Sequence, residues 1–265
     1  MNILGIDEIL ASAKSEAQLT IDKSWSQGRT VFGGLSAALL IQSMMHELPD
    51  QRPLRVANFN FIAPLLSQES CQLKVTHLRD GKNVTHLQAQ LIQNELVCVQ
   101  SQACFANDRS SKVNVTNKTP LAFKLPKKPS FLPMIPKVTP NFIQHVSLAI
   151  VDGRLPFTGS EQSNISGWMK FKKANKRLTW PHIIALADAW PPTVLQMLRW
   201  PKPASTLSWQ IEILQPHCHL HPDDWVGYEA ITRQASEGYA HCEANIWSPT
   251  GELIMLSRQI DAVFA

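Results

Sequence analysis

Charge is sparse in this chain: Asp, Glu, Lys and Arg make up 17% of its 265 residues, and the formal net charge is +4. The 25 Lys and Arg are scattered, with no basic stripe interleaved with aromatics, which argues against nucleic acid as a partner. Cysteine is scarce as well. The five thiols, at 71, 98, 104, 218 and 242, are odd in number and contain no CxxC spacing. Neither a disulfide framework nor a cysteine-rich zinc site is indicated, and a reducing, cytoplasmic setting is the expectation. No apolar run is long enough to span a membrane. The longest, Thr30 to Met45, falls short of the roughly 20 residues required and contains Ser36, Gln42 and Ser43. The stretch Met1 to Glu16 lacks a basic start followed by an apolar run, so no secretory leader is expected, and sequons such as Asn83-Val-Thr85 carry no weight.

What is present is hydrophobic material, 44% of the residues, enough for one large core or two small ones and too much for a disordered chain. Composition divides the sequence into residues 1–107, a Lys/Pro/Asn-rich linker over 108–140, and residues 141–265. Within the linker, Lys124-Leu-Pro-Lys-Lys-Pro-Ser130 suits neither a helix nor a central strand, because proline lacks an amide donor and restricts its predecessor.

The first zone reads as a strand at Thr20 to Ser24, a helix apolar nearly all round from Gly33 to Glu47, and a strand from Val56 to Pro64. Strands at Cys71 to Arg79, Asn83 to Gln93 and Glu95 to Phe105 follow, the last two joined by a turn at Gln93-Asn94. The last zone repeats this order. Strands at Ser147 to Val151 and Ser166 to Lys172 precede a mainly helical Pro181 to Leu198. Four more follow at Ser205 to Leu214, Trp225 to Arg233, Gly238 to Trp247 and Glu252 to Val263, with Ser248-Pro-Thr-Gly251 as the final turn. Spacing supports the repeat: Asn60-Phe-Ile-Ala-Pro64 parallels Glu212-Ile-Leu-Gln-Pro216, Glu95-Leu-Val97 parallels Glu252-Leu-Ile254, and Gln102 parallels Gln259. A buried helix followed by antiparallel strands, given twice, predicts an α+β double hot-dog, two sheets each wrapped around a central helix.

On these residues the chain resembles the acyl-CoA thioesterase II family over nearly its whole length outside the linker. The resemblance is carried by Gly28-Arg-Thr-Val-Phe-Gly-Gly34 at the mouth of the first helix, by Leu78-Arg-Asp-Gly81, and by the surroundings of three polar residues in the second half. The family's water-holding trio maps onto Asp188 in Ala185-Leu-Ala-Asp-Ala189, Thr206 ten residues before Pro216, and Gln259 after Leu256-Ser-Arg258. Two segments depart from the family pattern. Leu207-Ser-Trp209 stands where an Ile-Asp-His-like run is usual, and Ile260-Asp261 where Glu-Gly is usual; both bear on acyl-chain preference more than on the chemistry. The resemblance implies an acyl-CoA substrate, hydrolysis to a free fatty acid, a place in fatty acid metabolism, no cofactor, and a homodimer of double hot-dogs.

Thioester hydrolysis needs a positioned water, a base for its proton, and donors where the carbonyl oxygen becomes an oxyanion. Asp188, flanked by Ile184, Leu186 and Trp190, is expected to be poorly hydrated, which raises its pKa from about 3.9 toward neutrality. Thr206 and Gln259 orient the same water by hydrogen bonding. Amides at Gly33 and Gly34, at the start of the first helix, offer the oxyanion donors, aided by the helix dipole. Each residue also has a structural reading: Asp188 as a helix end before Pro191-Pro192, Thr206 as an ordinary strand residue, Gln259 as a solvated one.

Other signals read less specifically. Gly34-Leu-Ser-Ala-Ala38 approximates a nucleophile elbow but lacks its last glycine, so Ser36 reads as a small residue in a buried helix. His217-Cys-His-Leu-His221 lies between Pro216 and Pro222 and reads as a loop in preference to a metal site. Lys170 to Arg177 could attract the phosphates of coenzyme A or be a solvated loop. Trp168, Trp180, Trp190, Trp200 and Trp209 fill the core or line an acyl tunnel. Two other function classes remain. One is a non-catalytic acyl-CoA-binding protein on the same scaffold. The other is a hot-dog hydratase, which needs a histidine paired with the carboxylate.

Overall fold

The structure, a computed structural model, describes residues 4–125, 127, 139–174 and 176–264. The Pro-rich part of the linker, at 126 and 128–138, lies outside the described residues. A short helix α1 (Ile6–Ala11) leads to strand β1 (Gln18–Thr20), a two-strand ribbon β2 (Ser26–Gln27) and β3 (Thr30–Val31), and helix α2 (Gly33–His46). Strands β4 (Leu54–Phe61), β5 (Ser70–Asp80), β6 (Val84–Gln93) and β7 (Leu96–Ala106) complete the first half. The second half runs through β8 (Val146–Asp152), β9 (Asn164–Phe171), α3 (Trp180–Ala187), β10 (Ala204–Ile213), β11 (Val226–Ser236), β12 (Tyr239–Trp247) and β13 (Leu253–Val263).

Eleven strands form one antiparallel sheet in the order β1-β5-β6-β7-β4-β10-β13-β12-β11-β9-β8. The halves join at β4 and β10, where Asn60 faces Ser208 and Val56 faces Glu212. The repeat that matches Asn60 with Glu212 also matches Val56 with Ser208. The register is therefore what a two-fold axis between Asn58 and Gln210 requires, and the chain is an internal pseudo-dimer. α2 lies on β5, β6 and β7, α3 lies on β9, and the two helices pack on each other. From Gly34 to Ile41 every residue of α2 is buried, and so is every residue of α3, which accounts for their apolar character on all sides.

At the seam, Phe59 and Trp209 face each other across β4 and β10 with ring centroids 5.2 Å apart, and Trp209 Nε1 donates to Ser257 Oγ at 2.8 Å. Both rings are sealed from solvent. Trp209→Ala should therefore cost about 3–5 kcal/mol through the cavity it leaves in the joint. Urea denaturation reads this directly, and an unshifted midpoint would show that the seam is not held by this pair.

Four expectations need correction. The first strand is Gln18–Thr20, not Thr20 to Ser24; Lys23–Trp25 form a 3-10 turn whose Ser24 amide is held by Asp22 Oδ1 at 2.8 Å. The β6–β7 turn is Asn94-Glu95, both at positive φ (51° and 63°), the pairing that a two-residue hairpin of matching twist requires. The second helix does not extend to Leu198. It ends at Ala187 with Asp188 as its C-cap, because Pro191 and Pro192 forbid continuation, and Thr193–Met197 form a separate 3-10 turn. Trp200 is 77% exposed and belongs neither to the core nor to a tunnel wall, unlike the buried Trp168, Trp180, Trp190 and Trp209.

Candidate active site

A cavity of about 700 Å³ opens where the N-terminal end of α2 meets the C-terminal end of α3. Its walls are largely apolar, with Phe61, Val99, Phe142, Leu155, Trp190 and Leu195 among them. Asp188, Thr206, Gln259 and Gly33 line it, so four of the residues expected at the site share one space. Gly34 lies directly behind. Ser36 also reaches the wall but is buried in α2, with its hydroxyl donating to the Phe32 carbonyl at 3.3 Å, so no strand-to-helix elbow exists there.

Each position follows from the chain's local chemistry. α3 starts at a capping box, the Thr179 side chain on the His182 amide and the His182 ring on the Thr179 amide, and has Pro181 in its first turn. Its other end delivers Asp188 to the cavity just before the proline pair. Gln259 and Asp261 are two apart on β13 and so present to the same face of the sheet. Thr206 on β10 faces Asp261 directly across the ladder, and a bulge between Thr206 and Ser208 puts Leu207 out of register.

The bonds at the site are specific. Gln259 Nε2 donates to Asp188 Oδ1 at 2.7 Å. The Gly34 backbone N–H donates toward the same carboxylate. Thr206 Oγ1 donates to Asp261 Oδ1 at 2.8 Å, so its proton goes to neither Asp188 nor Gln259. Asp188 is pushed up to about 7, first by burial and further by the nearby Asp261 carboxyl, while the Gln259 and Gly34 donors oppose the rise. Behind it, Trp190 stacks on Tyr228 at 5.2 Å and donates through Nε1 to Met169 Sδ at 3.3 Å. Burial raises the Tyr228 phenol, so that group stays protonated.

Closeness is set by glycine. A Cβ built on Gly33 would lie 2.9 Å from Asp188 Oδ2, and one on Gly34 would lie 2.8 Å from the Ala185 carbonyl and 2.9 Å from Asp188 Cβ. The two glycines let the end of α2 seat against the carboxylate and its helix. Of the two amides expected to serve an oxyanion, Gly34's is turned toward the Asp188 carboxylate, and Gly33 is the one on the cavity wall.

Other candidates lie elsewhere. Leu78-Arg-Asp-Gly81 closes the β5–β6 hairpin, where the Gly81 carbonyl accepts from Arg52 Nη1 at 2.8 Å. His217 bonds to Asp108 at 2.7 Å, and among the described residues no three His, Cys, Asp or Glu are grouped to hold a metal. Lys170 sits over the Trp225 ring, Lys172 donates to the Ile143 carbonyl, and neither lines the cavity; its wall carries Lys202 instead. His182, the α3 histidine, bonds to Thr179 and to buried Asp7 and does not line the cavity, so Asp188 has no imidazole partner of the hydratase kind.

Comparison with known proteins fits this geometry. The family description "Acyl-CoA thioesterase C-terminal domain" matches residues 124–263, and "Acyl-CoA thioesterase N-terminal domain" matches residues 21–106. The chain belongs to the acyl-CoA thioesterase family. It is a thioester hydrolase with the double hot-dog fold. A conserved hot-dog protein of unknown function from Alicyclobacillus acidocaldarius superposes with a TM-score of 0.82 at 18% identity, covering 97% of this chain and 98% of that one. An acyl-CoA thioesterase II from Mycobacterium marinum superposes at 0.72 with 16% identity, covering 98% of each chain. A dehydratase domain from Pseudomonas fluorescens also superposes, at 0.58 with 9% identity over 93% of each chain, so the fold by itself does not fix the reaction. No curated protein sequence matches the thioesterase significantly. No helix among its described residues is long and apolar enough to cross a membrane.

Proposed function

We propose that this thioesterase cleaves acyl-CoA to free fatty acid and coenzyme A with a water held by Asp188, Thr206 and Gln259. The observation that carries the reading is a half-buried carboxylate, pushed up to about 7 and tied to Gln259, on the wall of an apolar cavity that Thr206 also lines. A base is most effective when its pKa lies near the working pH, and a cavity walled by Phe61, Phe142 and Leu155 suits an acyl chain.

In the reaction, Asp188 takes a proton from the water as its oxygen bonds to the thioester carbon. The carbonyl oxygen then carries the negative charge, and the Gly33 amide, in the first turn of α2 where no helical carbonyl can accept from it, stabilises that charge. Collapse re-forms the carbonyl and breaks the C–S bond, and the proton on Asp188 passes to the leaving sulfur. Lys202, exposed on the cavity wall, provides positive charge for the phosphates of coenzyme A.

Two measurements test this. Free coenzyme A released from a panel of short, long and aromatic acyl-CoAs should appear with wild type and fall by about a thousandfold with Asp188→Asn; binding without release by the wild type would instead make the chain an acyl-CoA-binding protein. The pH–rate profile should have an acid limb near 7, since Asp188 acts only when ionised. Below that limb kcat/KM should fall about tenfold per pH unit. A rate independent of pH through that range would remove Asp188 as the base.

A further inference from the structure

We infer that Asp261 is a positioning residue that turns Thr206 into a hydrogen-bond acceptor toward the nucleophilic water; this rests on the reading of the site given above. Asp261 is wholly sealed from solvent, and a carboxyl group in such a place is costly unless something compensates it. Its Oδ1 accepts the Thr206 hydroxyl at 2.8 Å. Its Oδ2 has no hydrogen-bond partner among the described residues, and the Cys242 thiol, a weak donor, is the other polar group that favours the charged carboxyl. The larger share of the compensation thus comes from the bond to Thr206, a residue on the cavity wall.

A hydroxyl has a single proton. With that proton committed to Asp261, Thr206 shows the cavity only lone pairs. A water between Asp188 and Thr206 can then donate one hydrogen to the carboxylate and the other to Thr206. Both lone pairs of its oxygen are left free, one of them for the thioester carbon. Without Asp261 the Thr206 proton is free to point at the water, so that Thr206 takes up one of its two lone pairs in place of accepting its second hydrogen, and the oxygen becomes a poorer nucleophile. The strand geometry serves the arrangement: Asp261 lies directly opposite Thr206 in the ladder, two residues beyond Gln259 on the same face, and the bulge at Leu207 falls immediately after Thr206. The charged and titratable groups around Asp261 are Asp188 at the end of α3, Tyr228 on β11 and Cys242 on β12.

A double-mutant cycle separates this role from mere bracing of β10 against β13. Thr206→Val, Asp261→Ala, the pair combined, Asp261→Asn and Thr206→Ser are compared for kcat, KM and melting temperature at about pH 8.5, above the Asp188 titration. Thr206→Val and Asp261→Ala should each lower kcat roughly 10- to 100-fold and leave KM within about twofold, and the double variant should be no slower than Thr206→Val alone. Asp261→Asn, whose amide oxygen still accepts the hydroxyl, and Thr206→Ser, which keeps it, should stay within about threefold of wild type. If Asp261→Ala does not fold, Asp261→Leu fills the site in the cycle. The inference is overturned by losses that multiply in the double variant, by an unchanged kcat in Asp261→Ala, or by an Asp261→Asn variant as slow as alanine. Asp188→Asn at wild-type speed would instead overturn the water-and-base reading itself, independently of the cycle.

Discussion

Asp188→Asn should lose hydrolysis by about a thousandfold and, at pH 8, unfold at a higher temperature than the wild type. The first effect follows from removing the base, a contribution typically worth 10²- to 10⁴-fold. The second follows from the environment that makes it one. Asp188 is raised from 3.8 to about 7, chiefly by burial, so folding at pH 8 forces a charge into a site that resists it. The shift corresponds to at most about 4 kcal/mol, and contact with water in the cavity reduces this to roughly 2–3 kcal/mol. Asparagine can still accept from Gln259 and carries no charge, so that penalty disappears.

The sign makes the prediction selective. Because the folded pKa lies above the unfolded one, the native state binds the extra proton between about pH 4 and 7. Wild-type stability should fall across that window as pH rises. The melting-temperature gap between Asn and Asp should therefore be near zero at pH 4, widen to pH 7 and remain constant above. A gap of equal size at pH 4 and pH 8 would mean that the carboxylate is not strained by burial.

The repeat was legible because it is local. Proline, turn and strand positions recur in each half, and the register across β4 and β10 follows once Asn60 is matched with Glu212. The apolar run that continues past Trp190 extends the expected helix to Leu198, whereas the Pro191-Pro192 pair ends it before Asp188. Asp261 stood in plain view as a departure beside Gln259. Strand alternation alone puts the two on one face, yet nothing in sequence says that Thr206 lies opposite Asp261 and not opposite Gln259, because a bulge fixes that register. The cavity wall was less legible still. Phe142, just past the linker, stacks on Phe32 at 3.8 Å, an encounter between distant segments that no local pattern announces.

Gly34→Ala should destabilise the protein by about 3 kcal/mol or more, whereas Gly33→Ala should leave stability nearly intact and damage turnover. The residues are adjacent and the substitution is the same; what differs is what the new methyl meets. At Gly34 it would come within 2.5 Å of the Phe32 ring, 2.8 Å of the Ala185 carbonyl and 2.9 Å of Asp188 Cβ. The Ala185 carbonyl is helix backbone, so α2 and α3 must separate at the contact joining the two halves, an overpacking that a sealed core relieves poorly. At Gly33 the neighbours are Asp188 Oδ2 at 2.9 Å and the edge of Phe61 at 3.3 Å, both side-chain ends on the cavity wall that can shift. Their shift misplaces the base, and a misplacement approaching about 1 Å costs up to about 100-fold in rate. Melting curves and kcat for the two variants should therefore separate, with Gly34→Ala losing stability and Gly33→Ala activity. Equal losses of stability in both would mean that α2 meets Asp188 through a contact able to relax, and that glycine here is not what brings the helix to the carboxylate.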